Sequence, residues 1–219
     1  MPSTHSPLVS AFVPRPGLTP ALRLAMIAGL VPLPWFLFWT ACGGMLVPGY
    51  SALSQHASEL LGAGGGAALC ARLSAFGSGL AFIAFALGLM ALSPQRPALG
   101  ALCYLLFGVS RISGGIWPMG SPMHGLYAIG VMNIIAPALA HIELDGLLRA
   151  RRAYRLTAFV SFCGFLYLWL NLTSNDPDAY RGLTQRIFSS INSLWPYTVA
   201  LAVLRRAQPA AAHGARTSG

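Results

Sequence analysis

The chain has 219 residues, of which 55% are hydrophobic and only 9% charged, whereas a soluble domain carries about a quarter charged residues to cover its surface. This composition excludes a single aqueous globule and with it a soluble enzyme; it is too hydrophobic for a disordered chain, and 4 cysteines are too sparse for a disulfide scaffold. The net charge of +9 comes from 14 arginines without a lysine, and its placement between apolar runs points to a membrane partner rather than to nucleic acid.

Residues 1–20 contain five prolines and little periodicity, so they read as a flexible arm. Six apolar stretches follow, each near the roughly 20 residues that a bilayer core demands of a helix. They cover 24–47, 69–92, 98–117, 126–142, 156–172 and 183–204. Breakers separate them: Pro48-Gly49, the turn at 93–97, the segment 118–122 and Asn175-Asp176-Pro177-Asp178. The first run is too long for the apolar core of a cleaved signal and reads as an anchor. The expected architecture is all-α: a six-helix transmembrane bundle over 21–206, with a disordered tail over 207–219 and a short amphipathic helix on the extracytoplasmic side between the first two spans.

Orientation follows from the arginines, because cytoplasmic loops are enriched in basic residues. Ten of the 14 fall on one side: Arg15, Arg23, Arg96, Arg149, Arg151, Arg152, Arg155, Arg205, Arg206 and Arg216. Arg72, Arg181 and Arg186 fall on the other, and Arg111 lies within the third span. Both termini are therefore expected in the cytoplasm, in a multi-pass protein of the inner (plasma) membrane.

Polar residues concentrate at the opposite end. On a helix over 50–61, Ser51, Ser54, Gln55, Ser58 and Glu59 share one arc while Leu53, Ala57, Leu60 and Leu61 fill the other. An interfacial helix whose polar face meets only water has the same pattern. In the last span, Arg181, Gln185, Arg186, Ser189, Ser190, Asn192, Ser193 and Tyr197 cover half of the wheel, which implies that this face meets the bundle or a water-filled cavity. Arg111 shares its face with Gly100, Gly108 and Gly115, which favour close packing, so the guanidinium is expected to point inward and to need a carboxylate or a bound anion. Glu59 is the nearest candidate partner on that side. His124 stands at the mouth of the fourth span, either as a hydrogen-bonded structural residue or as part of the same polar site.

Three segments carry a resemblance: Pro48-Gly49-Tyr50-Ser51 running to Ser58-Glu59-Leu60, the turn from Pro118 to His124, and Gly182-Leu183-Thr184-Gln185-Arg186 running to Trp195. In combination they resemble domain of unknown function family 998, prokaryotic polytopic membrane proteins, over residues 24–206. The resemblance implies a multi-span protein whose marked residues gather on one side, and it implies no activity or cofactor. Members associated with this turn often carry an acidic residue between Pro118 and His124, whereas this chain has Met119, Gly120, Ser121, Pro122 and Met123.

No cofactor is expected. A metal held by His56, Glu59 and His124 would meet repulsion from Arg111 and Arg186, and His124 and His141 fall on different helix faces, which suits haem poorly. The expected partners are membrane lipid and an anionic lipid headgroup or small anion. One reading has Arg111 and Arg186, with Ser51, Ser54, Gln55, Ser58 and Gln185, hold the anion while Glu59 and His124 serve as acid and base. The others are a transporter or binding protein using the same arginines, and a structural protein in which Glu59 pairs with Arg111 or Arg186 to pin the short helix onto the bundle.

Overall fold

The computed structural model describes residues 18–207. Most of the arm expected over 1–20 and all but the first residue of the tail expected over 207–219 lie outside them.

Among the described residues the chain is all-helical: α1 (Pro20–Ala28), α2 (Pro32–Met45), α3 (Gly65–Leu92), α4 (Leu99–Ile116), α5 (Tyr127–Gly130), α6 (Met132–Glu143), α7 (Asp145–Leu148), α8 (Arg151–Leu172) and α9 (Arg181–Arg206). Two 3-10 turns, Ala57–Leu61 and His124–Leu126, precede α3 and α5. Three of these helices (α3, α4, α8) plus α9 and the stretch His124–Glu143 are long and apolar enough to cross a membrane. The pair α1 and α2, bent by 46°, passes the same test together, for up to six candidate crossings when the pair is one broken span.

The break in the first span has a local cause. Pro32 and Pro34 lack the N–H groups that would tie them to the preceding turn, so the helix stops after Ala28 and restarts at Pro32. The fourth span is also segmented: Gly125 and Leu126 take positive φ values of 68° and 41°, which turns the chain between the 3-10 turn and α5. A Cβ at Gly125 would meet nothing within 4 Å, so the backbone angle and not space is what calls for glycine there.

The helices close into a ring. α3 packs on α1, α2 and α4; α4 packs on α6, α6 on α8, and α8 on α9, which returns to α1 and α2. Backbones approach closely where glycines cross: a Cβ at Gly79 would lie 2.7 Å from the Gly108 carbonyl, and one at Gly108 equally close to that of Gly79. Small residues permit such contact where apolar burial gives no drive between helices in lipid.

The ring is solid at one end and hollow at the other. At the end bearing Pro20 and Arg206, here the terminal face, Met26, Phe82, Phe85, Tyr104, Trp195 and Val203 form a continuous buried core. The Tyr104 and Trp195 rings stack at 5.5 Å, and Trp195 Nε1 donates to Thr157 Oγ1 at 2.9 Å. Buried Glu143 accepts from the Gly100 amide at 2.7 Å. It thereby satisfies one of the free N–H groups at the start of α4, where the helix dipole favours negative charge. The opposite end, the loop face, carries the segment between α2 and α3, the turn before α5 and the α8–α9 connection.

Candidate functional site

Short-range chemistry shapes the segment after α2. The Ser51 amide donates to Gln55 Oε1 at 2.8 Å, the Ser54 amide to Ser51 Oγ at 3.4 Å and the His56 amide to Glu59 Oε1 at 2.9 Å. Side-chain oxygens that capture neighbouring amides compete with helical bonding. The result is a turn followed by the single 3-10 turn Ala57–Leu61, in place of the continuous amphipathic helix that the arc of polar residues suggests.

This segment is fastened to α9. The Leu183 amide, free at the start of α9, donates to the Leu53 carbonyl at 2.8 Å, and Gln185 Oε1 accepts from the Ala57 amide at 2.7 Å. Arg181 Nε donates to the Ser54 carbonyl at 2.9 Å, and its Nη2 lies 3.4 Å from Glu59 Oε1. Arg186 Nη1 donates to the carbonyls of Ala52 (2.9 Å), Gln55 (3.0 Å) and Gly182 (2.8 Å), and Nη2 to the Tyr50 hydroxyl at 2.6 Å. The Arg186 donors thus go to neutral oxygens of the protein itself. Glu59, the acid nearest to Arg111 by sequence reasoning, pairs with Arg181.

Beneath the fastened segment lies a cavity of about 560 Å³, within the range of small-molecule sites. Arg111 enters its wall from α4, Ser74 and Ser78 from α3, Asn133 from α6, and Gln185, Ser189, Asn192 and Ser193 from α9. His56 and Ser58 of the fastened segment, His124 of the turn before α5, and Thr40, Ser110, Tyr167 and Asn171 add to the polar lining, while Phe36, Phe82, Phe107 and Ile134 supply apolar wall. Met119 (44% exposed) and Leu172 (75% exposed) lie on its outer edge. No carboxylate lines it among the described residues.

Arg111 is held in place without a counter-ion among the described residues. Its Nη2 donates to Ser78 Oγ at 3.4 Å and its guanidinium sits 5.3 Å from the centre of the Phe36 ring. Ser78 Oγ gives its own proton to the Ser74 carbonyl at 2.6 Å, so its lone pairs are available to the arginine. Ser74 Oγ and Asn192 Oδ1 are buried with no hydrogen-bond partner among the described residues.

The ring of His124 has a fixed tautomer. Its Nδ1 lies 2.7 Å from the Trp117 carbonyl, which only accepts, so Nδ1 carries the proton in the neutral ring and Nε2 is left as an acceptor. Ser110 Oγ donates to the Gly125 carbonyl and Ser113 Oγ to that of Met123, stapling the turn to α4 on both sides of the histidine. His56, outside the spans, is held below the usual histidine range chiefly by burial. Arg181 and Arg186 add to this, and Glu59 and Asp176 oppose it.

The expected site residues thus divide into two groups. Ser58, Arg111, His124 and Gln185 share the cavity, whereas Ser51, Ser54, Gln55, Glu59 and Arg186 build and fasten the segment above it. Ser74, Ser78 and Asn133 join the cavity unannounced. The signal for the serines was their spacing of four within an otherwise apolar span. All four cysteines are free, and no cluster of three metal-binding side chains occurs among the described residues.

The family model described as protein of unknown function (DUF998) matches residues 27–202, and the chain belongs to that family. The match spans every residue of the cavity and of the fastened segment. No curated protein and no solved structure matches the chain.

Proposed function

We propose that this member of the DUF998 family holds an anionic ligand, a lipid headgroup or a small anion, in the loop-face cavity, with Arg111 as the counter-charge. One observation carries the reading: a guanidinium stands in the wall of a cavity that no carboxylate lines among the described residues. A cation at this depth costs about 2.5 kcal/mol or more when uncompensated, and an anion bound in the cavity offsets that cost. Catalysis with Glu59 and His124 as acid and base would need both at the ligand. His124 lines the cavity while Glu59 faces Arg181, so binding is supported better than turnover.

The structural reading retains its own residues. Arg186 and Arg181 form the clamp that pins the segment over the cavity, and their bonds to backbone carbonyls account for their charge without any ligand. The two groups separate in one experiment. Wild type, Arg111→Gln and Arg186→Ala are purified in detergent, their co-purifying lipids and small anions are identified by mass spectrometry, and their melting temperatures are measured. Arg111→Gln is expected to stay folded and to lose an anionic species that the wild type retains. Arg186→Ala is expected to lower stability by about 2–3 kcal/mol, since bonds from a charged donor are lost. An unchanged anion complement in folded Arg111→Gln would overturn the reading.

A further inference from the structure

The lining of the cavity is rich in acceptors as well as cationic. α6 and α9 each carry an interior proline, Pro137 and Pro196, and each stands four residues after an asparagine that lines the cavity, Asn133 and Asn192. A proline has no N–H, so the main-chain carbonyls of Asn133 and Asn192 lose the helical donor that any other residue at 137 or 196 would supply. Asn192 Oδ1 is a further acceptor, buried and without a partner. The Nε2 of His124 is another, because Nδ1 carries the proton given to Trp117. The oxygens of an anion satisfy Arg111 but cannot satisfy Asn192 Oδ1, an acceptor left unpartnered among the described residues, which calls for a donated hydrogen. Burial without a donor costs Asn192 Oδ1 free energy.

We infer that the ligand is a polyol phosphate, an anion that presents its charge to Arg111 and its hydroxyl hydrogens to Asn192 and His124. This rests on the anion-binding reading and names the ligand class of the same site. The apolar wall of Phe36, Phe82, Phe107 and Ile134 leaves room for either source of that chemistry, a glycerol-phosphate lipid headgroup or a free polyol phosphate.

The test is a competition series. Wild-type protein in phosphatidylcholine nanodiscs is titrated with phosphatidylglycerol, with phosphatidic acid, which has the phosphate but no polyol beyond it, and in solution with glycerol 3-phosphate and inorganic phosphate. The polyol member of each pair is expected to bind about tenfold more tightly, the loss of one or two donated hydrogen bonds. Asn192→Leu and, separately, His124→Phe are expected to shrink that preference while leaving the affinity for phosphatidic acid and phosphate unchanged. Two variants are used so that a folding defect in one does not end the test. A preference expressed only in the lipid pair assigns the ligand to the membrane, and one expressed equally by glycerol 3-phosphate assigns it to solution; both support the inference. Equal affinities within each pair, with binding still abolished in Arg111→Gln, would overturn the polyol inference and leave the anion site standing. Absence of any Arg111-dependent binding would overturn both.

Discussion

Single side chains at the loop face are divided between fastening the segment 50–61 and lining the cavity, and the histidine that does some of each gives a pH signature. His56 lines the cavity and sits in the fastened segment, where burial is the largest influence on its ring. Arg181 and Arg186 further disfavour its charged form, while Glu59 and Asp176 favour it, and the outcome is a folded-state pKa below the ordinary value of about 6.5. The unfolded chain therefore takes up this proton first. The stability due to neutral His56 is fully present above about pH 6.5 and is lost as the pH falls from there through the folded-state pKa. Melting temperatures measured from about pH 8 to about pH 5 should fall more steeply for wild type than for His56→Gln. Parallel curves would show that the proton goes elsewhere. The sequence made the polar residues of this region legible but not their partners. Arg186 and Glu59 are both conspicuous in an apolar chain, yet whether an arginine meets a carboxylate, a ligand or a row of carbonyls depends on the path of the segment 50–56. That path is set by local bonds such as Ser51 to Gln55, which a helical wheel does not represent.

At the scale of elements, hydropathy located every span, and the boundaries moved where chemistry other than hydropathy decides them. α8 begins at Arg151 and not at the first leucine of its apolar run, because a helix extends through arginines that reach the interface. The first and fourth spans are segmented at proline and at left-handed backbone, features that a sliding average smooths away. The close approach of α9 to the α2–α3 segment is permitted by Gly182. A Cβ there would collide with the Gln55 carbonyl and come within 2.7 Å of that of Ala52, and neither oxygen is the end of a flexible side chain. Gly182→Ala must push the segment away and so disturb the bond from Leu183 to Leu53 and those made by Arg186. Overpacking of this kind costs about 1–3 kcal/mol, which a denaturation midpoint in detergent should register. Limited proteolysis should at the same time cut faster within 50–62. A variant as stable and as resistant as wild type would mean that the segment is not held by α9.

For the whole molecule, the distribution of packing and of charge assigns different roles to the two ends of the ring. The terminal face is closed by the core around Tyr104 and Trp195, whereas the cavity that Arg111 lines lies toward the loop face. Arginines crowd the closed end: Arg23, Arg96, Arg149, Arg151, Arg152, Arg155, Arg205 and Arg206 all flank helix ends there. Translocation of short basic loops is disfavoured, and attraction to anionic headgroups acts in the same direction, so we propose that this end is the cytoplasmic one. The cavity would then open to the outer leaflet and the extracytoplasmic space, placing its ligand there too. Cysteine accessibility decides the matter. In a background with the four native cysteines replaced, Asn175→Cys in the α8–α9 connection and Gln95→Cys between α3 and α4 are each treated in intact cells with a membrane-impermeant thiol reagent. Asn175→Cys should label without lysis and Gln95→Cys only after it, both positions being exposed. The reverse pattern would turn the cavity toward the cytoplasm and make soluble cytoplasmic phosphates, rather than outer-leaflet lipids, the first ligands to try against Arg111.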